Sequence, residues 1–415
     1  MQISNYVSYA KLANNNLRCA NITNRAKAIP FNWIIVLCLI YVPLVTFSPI
    51  LNKIALFVII PLLFIYCLYS YSALIYNKYI QLYIAIVLWI LISCFVASDI
   101  DLMLRELRII LGTFAVSCIF FALAQNKRYV PWLYLTFLLV VLINYVYLKN
   151  NILTDLYIGQ ERPDDELFNA NRFGYYLLYS VCAIFVYGEI FKGFKETLCR
   201  IFLFAFIAIV PYIALITMSR QIIIIVIPFC LYTLIQRYNP LSSVKHFIIY
   251  GALLAIVSYC VLNYYLPLYE SSIFIDRLQT DVTEDNRVTL IIEGFLIGLQ
   301  NPILGVGPGN AVLYLNGYFT HCSYTELFAT SGLLPMVLFI ALIGKFIFEQ
   351  LSRYRQTKDK LFLYFFTTGV FWAAYNFFYV FYSSLWLMCF LFLLIAHSGE
   401  YYKELNMKES QGMAT

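Results

Sequence analysis

Apolar runs recur from one end of this 415-residue chain to the other. Each is roughly 17 to 25 residues, the length a helix needs to cross about 30 Å of hydrocarbon. In lipid every backbone N–H and C=O must be paired within its own segment, so such runs fold as helices. Twelve can be marked off, at 31–50, 54–75, 79–97, 109–125, 129–148, 172–191, 201–217, 221–236, 247–266, 327–348, 361–377 and 379–396. A composition that is 62% hydrophobic and 12% charged excludes an ordinary soluble domain. The expected fold class is therefore all-α: one polytopic membrane domain over 1–415 with about 12 transmembrane helices and a large external loop carrying interfacial helices. No Pro- or Ser-rich linker divides it, and no repeat of fixed period is present.

Residues 1–30 are polar and lack the apolar core and small-residue cleavage site of a signal peptide, so both termini, 1–30 and 397–415, are expected in the cytoplasm. Basic residues fit this alternation, because Lys and Arg near short loops stay on the cytoplasmic side. Nine basic residues fall outside: Lys53, Lys149, Arg105, Arg108, Arg162, Arg172, Arg220, Arg277 and Arg287, leaving 19 of the 28 inside. Seven of those nine are arginine, whose planar fork suits diphosphates and carboxylates. As a set they point to an anionic ligand on the outer face; singly, each has acidic neighbours to pair with, among them Asp99, Asp101, Asp164, Asp165 and Glu166. The eleven cysteines lie mostly within spans, with Cys322 alone in an external loop, and read as small core hydrophobes.

Two external loops stand out, at 150–171 and 267–326. In the second, "DNRVTLIIEGFLIGLQN" has helical spacing with Asp285 or Asn286 as N-cap. Val288, Ile292, Phe295 and Leu299 form an apolar stripe for the membrane interface. Ile291, Gly294 and Gly298 follow Arg287 on its own face, as a trough for a lipid chain below a gripped phosphate or as a seat for close helix packing.

"GVGPGN" lacks the strand and βαβ unit of a nucleotide loop, so Gly305, Gly307 and Gly309, with Gly332 beyond, are expected to turn and position the chain, with room for a backbone contact to a phosphate or sugar. His321 is the one histidine placed outside; His246 and His397 fall at cytoplasmic span ends as interfacial surface. An imidazole suits general-base work on a sugar hydroxyl, and Glu326 follows five residues on. Arg220 and Arg172 lie at outer span ends, either snorkelling or holding a diphosphate. "SDID" places Asp99 and Asp101 in a D-x-D pattern that more simply caps a helix, and no metal site is expected.

"RVTLIIEGFLIGLQNPILGVGPGN" followed by "HCSYTELFATSGLLP" resembles the signature region of the O-antigen polymerase and O-antigen ligase superfamily. Arg287, Pro302, Gly305, Gly307, His321 and Gly332 match its pattern, as do Ser219 and Arg220, and "NANRFG" resembles the Asn-rich start of one of its spans. The likeness covers roughly 165–340. Cys322 stands where the family commonly has Asn, and Pro335 where it has a small residue, so Ser323 or Glu326 would have to supply the hydrogen bonding beside the histidine.

The resemblance implies a metal-independent, inverting glycosyl transfer at the outer face of a bacterial inner membrane, with no cofactor. His321 would be the catalytic base. Arg220, Arg287, Arg172 and Glu326 would bind the diphosphate or sugar of an undecaprenyl-diphosphate-linked oligosaccharide. The lipid bilayer, a chain-length regulator and a flippase are the implied partners, and nucleic acid is not among them. The wording around His321 favours the polymerase, which joins lipid-linked repeat units. The alternatives are a ligase using the same residues to transfer glycan to lipid A core, and a lipid-linked oligosaccharide flippase.

Overall fold

The computed structural model describes residues 28–45, 48–152, 169–217, 219–238, 259, 263 and 286–410. The N-terminal segment to residue 27, most of the 150–171 loop, nearly all of the predicted ninth span and residues 267–285 of the large loop lie outside the described residues, as do His246, Arg162 and Arg277. In chain order the helices are α1 (Trp33–Leu44), α2 (Pro49–Ile54, carried through a π-turn at Ala55–Ile59 into Ile60–Ser70), α3 (Lys78–Ser93), α4 (Ile100–Leu123) and α5 (Val130–Tyr147). They continue as α6 (Ala170–Ile190), α7 (Phe194–Thr217), α8 (Ile227–Tyr238, reached through a π-turn at Ile222–Val226), α9 (Asn286–Gln300), α10 (Ser323–Ser331), α11 (Leu333–Thr357), α12 (Lys360–Tyr375) and α13 (Leu385–Ser410). No strand occurs among the described residues. Among the described residues eight helices are long and apolar enough to cross a membrane, which makes this a multi-pass helical protein.

Polar side chains start the helices. Asn32, Asn77, Asp99, Asn169 and Asp359 each accept the backbone N–H of a residue two or three further on, satisfying a donor that the first turn would leave orphaned. Burial sorts the bundle into layers. The α6 and α13 spans have 83% and 72% of their residues inside, against 17% for α2 and 28% for α7, so α6 and α13 are the central pair. Stacked rings close their surroundings: Tyr179 on Phe390 at 4.0 Å and Phe185 on Tyr364 at 3.7 Å. With lipid outside, such packing and paired polar groups do the work that water exclusion does in a soluble core. Large apolar side chains on the outer helices, such as Ile34, Tyr69 and Phe202, remain exposed where lipid would lie.

The charged ends of α4, α6, α7, α8, α11, α12 and α13 meet at one end of the bundle. There Lys127 pairs with Glu404, Arg237 bridges Glu189 and Glu196, and Tyr401 donates to Asp359. The elements bearing Asp99, Arg172, Arg220 and His321 gather at the other.

Four expectations need correcting. The predicted span 379–396 is displaced: α13 begins at Leu385 and runs to Ser410, through most of the expected tail 397–415, because no strong breaker interrupts "EYYKELNMKE". Residues 376–384 are instead irregular, with Asn376, Val380, Phe381 and Tyr382 buried. The predicted span 327–348 is two helices, broken at Gly332, whose φ of 88° no helix accommodates. The fourth predicted span begins too late, since "IDLMLREL" is already helical in α4 although its charges lower its hydropathy. His397 is not open surface: its Nδ1 lies 3.1 Å from the Tyr134 hydroxyl and its ring packs against Phe365.

Candidate active site

The glycine loop answers first to a helix end. Helix α10 leaves four carbonyls without partners inside the helix. The N–H of Gly332 takes Phe328 O, Val306 N–H takes Ala329 O, Gly307 N–H takes Thr330 O, and the Trp89 indole N–H takes Ser331 O. The G-V-G backbone is therefore engaged as a C-terminal cap, and its two N–H groups at 306 and 307 do not point at a phosphate. Gly305 (φ 64°) lies against the 329–331 backbone, and Gly307 (φ 93°) puts its missing Cβ 2.6 Å from Ala97 Cα. Gly309 (φ 72°) approaches Leu102 O of α4 in the same way. Asn310 completes the joint, fully buried: its Oδ1 accepts Asp99 N–H at 2.7 Å and its Nδ2 donates to Asp99 O at 3.1 Å. Asp99 in turn caps α4 through Leu102 N–H at 2.9 Å, which is the simpler of the two roles weighed for the D-x-D pattern.

Helix α9 lies against this cap. A Cβ on Gly294 would strike Thr320, and one on Gly298 would strike the Phe328 ring, so the trough is filled by protein and serves close packing. Its other face, with Ile292, Phe295, Leu296 and Leu299, is exposed and apolar, as an interfacial helix requires.

Packing of α9 and α10 holds the turn that carries His321. Thr320 is buried; its N–H donates to Glu326 Oε2 at 2.8 Å and its Oγ1 donates to Cys322 O at 3.0 Å. Between them His321 takes a left-handed conformation, φ 58°, with its ring 4.1 Å from that of Phe319 and partly exposed. Glu326 is buried on α10, where it supports this turn. Burial pushes its carboxyl up to about 7; the Thr320 hydrogen bonds oppose the shift and the nearby Glu106 carboxylate adds to it.

The neighbouring wall is the irregular 376–384 segment. Ser323 Oγ donates to Tyr379 O at 2.8 Å and accepts Phe381 N–H at 2.7 Å, while Ser323 N–H donates to Asn376 O. Arg172, in the first turn of α6, reaches the same place: Nε and Nη2 donate to the Tyr379 hydroxyl at 3.1 and 2.8 Å. Arg220 follows Ser219, whose Oγ donates to Asn171 Oδ1 at 3.2 Å, so the Arg220 and Arg172 turns are tied together. Arg287, in the first turn of α9, is near enough for its charge to act on Tyr175. The Tyr175 ring centre is 5.1 Å from that of Tyr379, and its hydroxyl donates to Gln221 Oε1 at 3.0 Å.

The structure thus gathers Arg172, Arg287 and the turns that carry Arg220 and His321 around Tyr379, Tyr175 and Gln221. Sequence reasoning passed over those last three, and over Ser323's anchoring role and Asn310. Tyr379 gave one faint signal: "NFFYVFYSSLW" places Asn376, Ser383 and Ser384 within an otherwise apolar run. Comparison with models of known protein families finds no match, and comparison with curated proteins finds none either.

Proposed function

We propose that the chain is a polysaccharide polymerase of the O-antigen type, joining undecaprenyl-diphosphate-linked repeat units at the periplasmic face of a bacterial inner membrane. The observation that carries this is the convergence of Arg172, the charge of Arg287, and the turns that bear Arg220 and His321 on the aromatic side chains around Tyr379. The orientation follows from charge: the opposite end of the bundle carries Lys127, Arg200, Arg237, Arg353 and Lys403 and reads as cytoplasmic.

In this reading His321 takes the proton of the acceptor hydroxyl as its oxygen attacks the anomeric carbon from the side opposite the diphosphate. The carbon–oxygen bond to the diphosphate breaks, its electron pair leaves with the phosphate oxygen, and the configuration inverts. Arg172, Arg220 and Arg287 supply fixed positive charge where negative charge builds. Glu326, first weighed as a substrate contact, is better assigned to holding the His321 turn, because it is buried and bonded to Thr320.

Deleting the gene and profiling the surface glycan by gel tests the proposal. Single repeats attached to core are the expected result, restored to a ladder by the wild-type gene and not by His321→Ala. Unattached polymer accumulating on undecaprenyl diphosphate would make the protein a ligase. A normal ladder with His321→Ala would remove the enzymatic reading.

A further inference from the structure

We infer that the Tyr379 hydroxyl is itself a ligand contact, donating its proton in a hydrogen bond to an anionic oxygen of the substrate diphosphate, with Arg172 acting behind it. The inference rests on the polymerase reading above and adds a residue that the sequence did not single out. Arg172 gives the phenol oxygen two hydrogen bonds from one guanidinium, at 3.1 and 2.8 Å. A phenol has one proton and little acceptor capacity beyond that, so its own O–H must point away from Arg172. Among the described residues that proton meets no acceptor, and Tyr379 is partly exposed.

Two cationic donors on the oxygen also polarise the O–H bond and strengthen it as a donor. A site that offers a polarised donor and no lone pair favours an oxygen that only accepts, and a phosphate oxygen meets that condition. The phenol is well placed for one. Tyr175, with Arg287 close by, lies on one side with ring centres 5.1 Å apart. Phe319 lies on another at 6.4 Å, and the His321 ring lies tilted against Phe319 at 4.1 Å. The 376–384 segment holds the group in place through Ser323, which both accepts Phe381 N–H and donates to Tyr379 O. As the glycosidic bond breaks, negative charge grows on the leaving oxygen, and the proton stays on Tyr379 throughout as a shared hydrogen bond that strengthens.

The test uses full-length protein in nanodiscs, with farnesyl diphosphate as the probe and farnesol as its uncharged counterpart. Tyr379→Phe, which keeps the ring, is expected to weaken diphosphate binding about tenfold or more, leaving farnesol binding unchanged. Fluorotyrosine at 379 is a stronger donor and a poorer acceptor, and is expected to bind the diphosphate at least as tightly as tyrosine. Tyr379→Phe binding like wild type would overturn the inference. So would fluorotyrosine binding more weakly than tyrosine, the order expected of a hydroxyl that serves only to hold Arg172, and this comparison decides the matter even if Tyr379→Phe folds poorly. Wild-type protein that did not prefer the diphosphate to farnesol would bring down the polymerase reading itself. Wild-type and His321→Ala protein that both preferred it would leave that reading intact, and the Tyr379 variants alone would then decide.

Discussion

The backbone N–H of Thr320 donates to Glu326 Oε2 across 2.8 Å, so a buried carboxyl on α10 fixes the residue that precedes His321. The hydrogen bond spans six residues and closes the His321 turn onto the helix that follows it. Much of the turn's behaviour should therefore follow the protonation and identity of Glu326.

Stability should fall as pH rises through neutrality, and Glu326 should be responsible. Its carboxyl ordinarily titrates near 4.5 and burial pushes it up to about 7 in the folded protein. Below 4.5 both folded and unfolded chains hold the proton; between 4.5 and about 7 only the folded one does; above that, folding must leave a buried carboxylate. The stability is thus complete below about 4.5 and lost progressively as pH rises from there through about 7, by about 3 kcal/mol in all. Glu326→Gln keeps an acceptor for Thr320 and cannot titrate. Melting curves in detergent between pH 5 and 8 should slope for wild type and flatten for this variant, and equal slopes would remove Glu326 from the account. Glu326→Ala should lose about 1–3 kcal/mol near pH 5, because it strands a buried N–H, and less near pH 8, where wild type carries the buried carboxylate and the variant does not.

Gly332 and Gly344 should respond oppositely to alanine. At Gly332, φ is 88°, and a Cβ would land on the Ile303 carbonyl, which the fold cannot move without breaking the Leu333 N–H bond to Pro302 O. A loss of about 2 kcal/mol or more is expected, seen as a lower melting temperature and poorer yield. Gly344 sits mid-helix in α11 with its nearest neighbour atom, on Phe348, 4.0 Å away. There alanine should stabilise by up to about 1 kcal/mol. A benign Gly332→Ala would mean that α10 and α11 are not locked to the 302–303 turn as described.

The parts of this architecture written as local chemistry could be read from the sequence. Asn169 caps α6 three residues before Arg172, Asn286 begins α9, and Gly305, Gly307 and Gly309 turn the chain. What escaped is tertiary. Hydropathy divides "NFFYVFYSSLW" only at residue 378 and does not show the longer irregular stretch around it, since most of that run is apolar, and so the segment that presents Tyr379 looked like the start of a span. The G-V-G backbone could be seen to turn but not to cap α10, because its partners lie more than twenty residues further along. The Asn310–Asp99 joint connects positions 211 apart and leaves no local mark. Gly294 and Gly298 carried both a lipid trough and a packing seat, and only the positions of Thr320 and Phe328 chose between them.

Asp99 should behave as a cap and not as a metal ligand. Its Oδ1 accepts Leu102 N–H at 2.9 Å, and its backbone is held by Asn310. Asparagine caps as well as aspartate, so Asp99→Asn should keep both melting temperature and glycan ladder, whereas Asp99→Ala should lose about 1 kcal/mol. Asn310→Ala should lose more, because it removes both hydrogen bonds that hold the Asp99 backbone at once. Glycan synthesis abolished by Asp99→Asn with stability intact would restore the metal-binding alternative.

His321 should trade stability for function. A β-carbon at φ 58° is strained by about 1–2 kcal/mol relative to right-handed backbone, and asparagine tolerates this conformation better than most residues. Strain of this kind persists where surrounding contacts over-determine it, and here Thr320, Cys322 and Glu326 do so from both sides. His321→Asn should therefore relieve that strain and fold, with the relief set against the contacts the ring makes, among them that with Phe319 at 4.1 Å. The same variant has no imidazole to take a proton, and its glycan should stop at single repeats. Unfolding of His321→Asn would show that the side chain holds the turn; a full ladder from it would show that the strain positions something other than a base. Stable protein with no ladder is the combination that a strained, working histidine requires.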